Sequence, residues 1–304
     1  MAEIEASVAI KERRVRSFWA DLFIRLVREK PLGLVGGVII LVLLTVGVFA
    51  DVFAPYGYNE ILVGPKLSVS SPGHILGCDQ LGRDMLSRII YGARISVIIG
   101  LSVSAIAVVL STLIGLLCGY VGGKLDLVAQ RFVDAWICIP ALFLILTIIS
   151  VFGPGMTQVI IVLGILYGVG QSRIMRGAVI GIRANPYLEA AKVIGCNTTR
   201  TSLRHVLPNV SAPMIVLFTI TMGAAILAEA TISFLGLGIP PPIPSWGGML
   251  QEARKYLMLY PHLALWPGLF LSITVYGINM LGDALRDLLD PRLRGGLGRY
   301  SGPT

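Results

Sequence analysis

Apolar and polar stretches alternate along this chain in blocks too long for a soluble core. A first uninterrupted run, LGLVGGVIILVLLTVGVFADVF, fills positions 32–53. As a helix its 22 residues would extend roughly 33 Å, enough to cross a bilayer core. Further runs cover about 95–118, 128–152, 157–172, 212–236 and 263–285. The pattern predicts six membrane-spanning helices, with a polar, Gly- and Pro-rich interlude over 54–93 between the first and the second. Pro140 should kink the third, because it removes a backbone donor and crowds the preceding turn.

Composition points the same way. Of 304 residues 55% are hydrophobic and only 14% charged, with a mean hydropathy of +0.80. Soluble domains carry about 25% charged residues. The net charge of +8 would suit nucleic acid only if it gathered on one soluble face. It is instead spread between the apolar runs, so the basic residues speak for topology. With the N-terminus inside, nineteen Lys and Arg fall on inner segments and six on outer ones. The leader 1–31 alone contributes Lys11, Arg13, Arg14, Arg16, Arg25, Arg28 and Lys30, and its SFWADLFIRLVREK stretch fits a helix lying on the inner face. That leader is too extended, and the run after it too long, for a cleaved signal peptide. Both termini are therefore expected in the cytoplasm of a multi-pass membrane protein. The expected divisions are a cytoplasmic segment 1–31, a first span 32–53, an extracytoplasmic segment 54–93, a transmembrane core 94–288 and a tail 289–304.

Two features suggest close helix packing and a docking element. Ser111, Gly115, Gly119 and Gly123 recur every four residues, a spacing that lets helix backbones approach in lipid. EAAKVIGCNTTRTSLRHVLPN, 189–209, is polar and basic between apolar runs and sits on the inner side. Asn185 can cap a helix beginning at Pro186, and Gly195 suits a C-terminal turn of positive φ. Asn197 or Thr198 can cap a second helix ending at Pro208. Paired alanines give such a hairpin a narrow face that fits a groove; resting on lipid headgroups is the competing reading.

The motif EAAKVIG, followed nine residues later by HVLP, resembles the EAA loop of ATP-binding cassette importer permeases. LGCDQLGRDMLSRIIYGARISV (76–97), RFVDAWICIPALFL (131–144) and AEATISFLGLGIPPP (228–242) resemble further segments of the dipeptide, oligopeptide and nickel branch, second permease subunit. Cys78 stands where threonine is usual, and Asn185-Pro186 replaces a more polar lead-in. The resemblance implies an all-α type I importer permease fold of six transmembrane helices, with a cytoplasmic coupling loop at about 173–210. It implies that Tyr187, Glu189, Ala190, Ala191, Gly195, His205, Leu207 and Pro208 engage a cytoplasmic ATPase. Expected partners are a homologous permease, two ATPase subunits, an extracytoplasmic solute-binding protein and membrane lipid, with no nucleic acid. The expected cargo is a dipeptide or short oligopeptide; nickel, glutathione or another small solute is the alternative within the branch.

Enzyme and carrier readings find less support. A P-loop needs GxxxxGK followed by Ser or Thr. The one Gly-Lys pair, Gly123-Lys124, is followed by Leu125, with Cys118 in place of the first glycine. No HExxH or GxSxG motif occurs. ATP and Mg are accordingly expected on partner subunits, with no cofactor on this chain and no catalytic residue. The cysteines Cys78, Cys118, Cys138 and Cys196 lack metal-ligand spacing. An ion-coupled carrier would carry inverted repeats and midplane charges; no repeat is visible. Two acidic residues lie within spans. Asp134 has Arg131 three residues back as an ion-pair partner. Glu229 lacks a local partner in sequence, leaving translocation-pathway lining or interhelical bonding open. GLGIPPPIPSWGGML should form a rigid outer loop, with Trp246 anchoring at the membrane interface.

Overall fold

A computed structural model describes residues 18–289, and among these the regular structure is helical. Five helices are long and apolar enough to cross a membrane, or six if one bent pair counts as a single span. Helix α1 (Phe18–Glu29) is amphipathic, as its spacing predicts, and leads into α2 (Pro31–Val48), which opens on proline at its first position. Gly33 and Gly36 let α2 lie directly on the last helix, α12 (His262–Leu289). A Cβ on Gly36 would stand 2.4 Å from the Gly277 carbonyl oxygen. Lys30 Nζ pairs with Asp287 at 2.5 Å and fixes one end of that contact. A short helix α3 (Ala50–Phe53) follows α2.

The second span begins about ten residues before the apolar run does. Helix α4 (Met85–Leu116) starts inside the polar interlude, because Asp84 accepts the Ser87 N–H at 2.8 Å and so caps it. It continues through a π turn to Val121. The third span is broken rather than kinked. Helices α5 (Gly123–Cys138) and α6 (Ala141–Phe152) meet at 87° across Ile139 and Pro140. Helix α7 (Met156–Arg183) outruns its apolar stretch by eleven residues, carrying Arg173, Arg176 and Arg183 toward its C-terminal end. Gly115 and Gly119 do face α7, and Ser111 is buried with its hydroxyl on the Val108 carbonyl. A Cβ on Gly115 would meet Met175 Cβ at 2.6 Å, and one on Gly119 would meet Val179 at 2.8 Å. Gly123 has nothing within 4 Å and opens α5 instead, with φ +65°.

After the hairpin described below come α10 (Ser211–Phe234), α11 (Trp246–Ala253) and α12. Three large apolar clusters hold the bundle, and a small one, Leu26, Ala284 and Leu288, joins α1 to α12. Trp246, Met85, Met222, Ile226 and Ile278 form one, Ile99, Ile149, Val159 and Leu163 a second, and Met175, Val179, Leu188, Val206 and Leu217 a third. The interface-anchor expectation for Trp246 is corrected: its ring is buried and its Nε1–H donates to the Ile89 carbonyl at 3.1 Å. The Pro-rich stretch folds α11 inward against α4, so the indole becomes core.

Candidate functional site

The hairpin that follows α7 is built from α8 (Pro186–Val193), a turn at Gly195, and α9 (Thr198–Thr201). Gly195 has φ +85°, and the Cys196 N–H reaches the Ala191 carbonyl at 3.0 Å, closing α8 with a left-handed C-terminal cap. Glu189 lies in the first turn of α8, where a negative charge complements the helix dipole. Two expectations about the hairpin are corrected. The Asn185 side chain does not cap α8: its Nδ2–H donates back to the Ile182 carbonyl at 2.8 Å and seals the end of α7. The second helix does not stop at Pro208. It passes through a π turn, Ser202–Val206, and a 3₁₀ turn, Leu207–Val210, straight into α10. Proline is accommodated there because it occupies the opening of the 3₁₀ turn, where no N–H is required.

The hairpin has a buried side and a bare side. Leu188, Ala191, Thr201 and Val206 are buried, and Leu188 and Val206 pack on Met175, Val179 and Leu217 of α7 and α10. Leu207 joins that cluster, while Asn209 Nδ2–H donates to the His205 carbonyl at 2.6 Å. Glu189, Ala190, Gly195 and Pro208 are exposed, and Tyr187 is half-exposed. The tip carries the surprise: Val193 is 87% and Ile194 79% exposed. Solvating two β-branched side chains at a capped, rigid turn leaves roughly 3–5 kcal/mol of hydrophobic burial unrealised in the isolated chain.

Helices α5 and α7 share an open cleft of about 470 Å³, lined by Asp126, Gln130, Arg131, Asp134 and Arg176. Arg176 grips Asp126 with two bonds of 2.6 Å. The expected Arg131–Asp134 pair is present but long, 3.5 Å, and exposed. Asp134 has a second, closer partner in Arg173 of α7, so it ties two helices rather than one.

Glu229 is only 1% exposed and does have a local partner, four residues on: Ser233 Oγ–H donates to it at 2.6 Å. Ser245 bonds it as well. Each hydroxyl in turn accepts a backbone N–H, Ser233 from Ile239 at 3.2 Å and Ser245 from Gly248 at 3.1 Å. The carboxylate therefore orients two hydroxyls that pin the loop 236–245 and the start of α11.

Sequence reasoning missed the densest charge network. Near the start of α4 Asp79, Arg83 and Arg88 are buried, and Glu252 of α11 closes the group. Asp79 receives Arg83 Nε at 2.6 Å and an Arg88 terminal nitrogen at 2.5 Å. Glu252 receives Arg88 at 2.8 Å, Arg83 at 3.0 Å and Gln80 at 3.0 Å. Burial raises the Glu252 pKa, but the two guanidiniums and Gln80 outweigh it and hold the group below its ordinary value. The paired charges in LGCDQLGRDMLSR signal such a network; Glu252, 164 residues from Arg88, carries no local signal.

The family described as "Binding-protein-dependent transport system inner membrane component" matches residues 111–295, and "N-terminal TM domain of oligopeptide transport permease C" matches 17–68. The chain is 34% identical over 291 residues to the glutathione transport system permease protein GsiD of Pectobacterium atrosepticum, covering 94% of this chain and 95% of that one. It is 36% identical over 276 residues to the dipeptide transport system permease protein DppC of Alkalihalophilus pseudofirmus, covering 91% and 90%. The oligopeptide transport system permease protein OppC of Bacillus subtilis is 34% identical over 278 residues, covering 91% of each. Among solved structures, an inward-facing form of the MetNI methionine ABC transporter superposes with a TM-score of 0.57. That match has 17% identity over 68% of this chain and 98% of that one, which speaks for the fold alone.

Proposed function

Since the chain belongs to the binding-protein-dependent transport system inner membrane components, in the branch of peptide and glutathione permeases, we propose that it forms half of a translocation pathway for short peptides, driven by two partner ATPases. A homologous permease supplies the other half. A solute-binding protein delivers cargo outside, and both termini face the cytoplasm. ATP and Mg are held by the partner ATPases, and this chain performs no catalysis by itself. Relatives named for dipeptides, oligopeptides and glutathione handle cargo built on the same peptide chemistry, which supports that class over nickel.

The observation that carries the reading is the hairpin's rigid apolar tip, Val193 and Ile194, standing away from every span. In the proposed mechanism ATP binding closes the ATPase pair, whose clefts carry this tip and re-orient the spans between inward and outward access. Glu189 and Gly195 shape the helix; Tyr187, Ala190, Ala191, His205, Leu207 and Pro208 complete or support its docking surface.

Gly195→Val forces a β-branched residue to φ +85°, and Val193→Asp places a charge at the tip. Both variants are expected to insert and pair with the second permease, yet to lose ATPase subunits on purification in mild detergent and to abolish uptake. Normal ATPase stoichiometry in both would refute the docking assignment. Dipeptide, glutathione and nickel are then compared as stimulators of ATP hydrolysis by the wild-type complex. Stimulation by nickel alone would remove the peptide reading.

A further inference from the structure

Residues 54–84 join α3 to α4 without a helix of their own. Of their apolar side chains only Leu76 and Cys78 are buried. The segment buries polar groups instead: His74, Asp79, Arg83 and Asp84. Asp79 and Arg83 belong to the network that Glu252 closes. His74 and Asp84 belong to another, which ties the segment to the start of α4.

The His74 ring faces an acceptor on each side. Nδ1 lies 3.0 Å from Asp84 Oδ1, and Nε2 lies 3.1 Å from the Val63 carbonyl oxygen. Asp84 is an acceptor throughout. Its other oxygen takes the Ser87 N–H and the Ser87 hydroxyl, each at 2.8 Å, and it caps α4, where the helix dipole favours a negative charge. A neutral imidazole has one N–H to give, and here two acceptors need one each. The ring is therefore held as an imidazolium. The Tyr56 ring stacks on it at 5.1 Å, a face that attracts a cation, and the Tyr56 N–H closes the circuit on Ser87 Oγ at 3.1 Å. A Cβ on Gly64 would stand 2.6 Å from Nε2, so the backbone itself covers that edge of the ring.

The other titratable groups nearby do not replace that charge. The Cys78 thiol also lies against Gly64, and burial pushes its pKa up, which keeps it neutral. From α12 comes His262, whose Nε2 bonds the Ser68 carbonyl at 3.2 Å. Asp79, Arg83, Arg88 and Glu252 are paired with one another, and Glu60 and Lys66 are exposed. The stretch that the ring clamps is strained. Leu62 and Leu67, on either side of Val63, hold φ +60° and +58°, a region that favours glycine. Three backbone bonds fasten the same stretch, from the N–H groups of Leu62, Val63 and Gly64 to the carbonyls of Leu81 and Gly82 at 3.1–3.4 Å.

We propose that His74 is a pH-operated latch: as an imidazolium it clamps Val63 to Asp84 and holds the stretch 62–64 against the start of α4, and on losing a proton it lets that stretch go. The neutral ring keeps one N–H, which goes to the carboxylate because a charged acceptor binds more strongly. The bare nitrogen then faces the Val63 carbonyl, two acceptors 3.1 Å apart with no proton between them. The strained stretch is released. The segment is thus closed in acid and opens as pH rises, with Asp84 capping α4 in both states. The latch is independent of what the protein transports.

The experiment takes the full chain in detergent from about pH 5 to about pH 9, which brackets ordinary histidine titration. Ring-nitrogen NMR follows the protons on His74, identified among the three histidines by its loss in His74→Gln. Hydrogen exchange, corrected for the intrinsic effect of pH, follows the amides of residues 62–64. Exchange there is expected to speed up ~10-fold or more as one hydrogen bond of a charged donor is lost. Its midpoint should coincide with that of His74 deprotonation, while the Met85 and Ser87 amides stay protected. His74→Gln cannot titrate and should show no step. Asp84→Asn still caps α4, and its amide can donate to a bare Nδ1 while Nε2–H stays on Val63, so the stretch should remain protected across the range. His262→Gln should keep the step. A step that survives either His74→Gln or Asp84→Asn overturns the proposal, as does one that His262→Gln abolishes. Differing midpoints in the wild type, or no step at all, overturn it without any variant.

Discussion

Removing Glu252 should unseat α11 from the start of α4. Its carboxylate accepts from Arg88, Arg83 and Gln80 at 2.8–3.0 Å, and the two arginine side chains are almost fully buried. In Glu252→Ala, Asp79 alone must face two guanidiniums, leaving one net positive charge where none existed. Breaking a buried ion pair by removing one partner costs about 3–5 kcal/mol. Asp79 keeps its own bonds to both arginines, and the Glu252 side chain is one-fifth exposed, so about 3 kcal/mol is the expected figure. At about 2–4 °C per kcal/mol for a chain of this size, the melting midpoint in detergent should fall about 6–12 °C. The pH dependence follows from the sign of the shift. The folded pKa lies below the ordinary value of 4.5, so the contribution is complete above 4.5 and is lost as pH falls through the folded pKa. Wild type and variant should therefore differ fully at pH 7 and converge in strong acid. Midpoints within 2 °C of each other at pH 7 would refute the reasoning, and Arg254→Ala, at an exposed neighbour, serves as the control that should not move.

Two further outcomes are expected. Gly115→Ala should cost about 1–3 kcal/mol, because its Cβ would lie 2.6 Å from Met175 Cβ, while Gly181→Ala, with nothing within 4 Å, should be neutral or gain up to ~1 kcal/mol; thermal unfolding of the two compares them directly. Glu229→Ala should destabilise by about 2–3 kcal/mol and speed proteolysis within 236–245, because Ser233 and Ser245 lose the acceptor that orients them, whereas Glu229→Gln keeps an acceptor and should lose less.

The spans were legible because membrane thickness writes itself into run length, and the hairpin because Gly195 and Pro186 carry local conformational meaning. Boundaries were less so. Helix α4 starts early because of a cap at Asp84, and α7 runs late because its arginines pair with Asp126 and Asp134 on α5. Hydropathy alone sees those arginines as an end. Pro140 announced a disturbance but not its size, since an 87° break depends on what α6 and α5 pack against. Trp246 and Glu252 were illegible for a common reason. Their partners, Ile89 and Arg88, lie 157 and 164 residues away, beyond any periodic signal.

One mechanical consequence joins the two ends. From Thr198 to Phe234 the chain is helical for 37 residues, about 55 Å. Its first end is the second arm of the hairpin, and its far end carries Glu229 and Ser233, which fix the loop 236–245 and the start of α11. Helix α11 in turn bears Glu252 and leads into the turn 254–260. The π and 3₁₀ turns at 202–210 are the weak points of this rod, since their hydrogen bonds are poorer than those of an α-helix. Their packing against Met175, Val179 and Leu217 stiffens them. In the proposed mechanism a displacement of the hairpin therefore reaches the outer loop as motion of one body, and the flexible elements lie elsewhere, at the α5–α6 break. That assigns opposite roles to two prolines: Pro208 sits in the part that transmits, Pro140 in the part that yields.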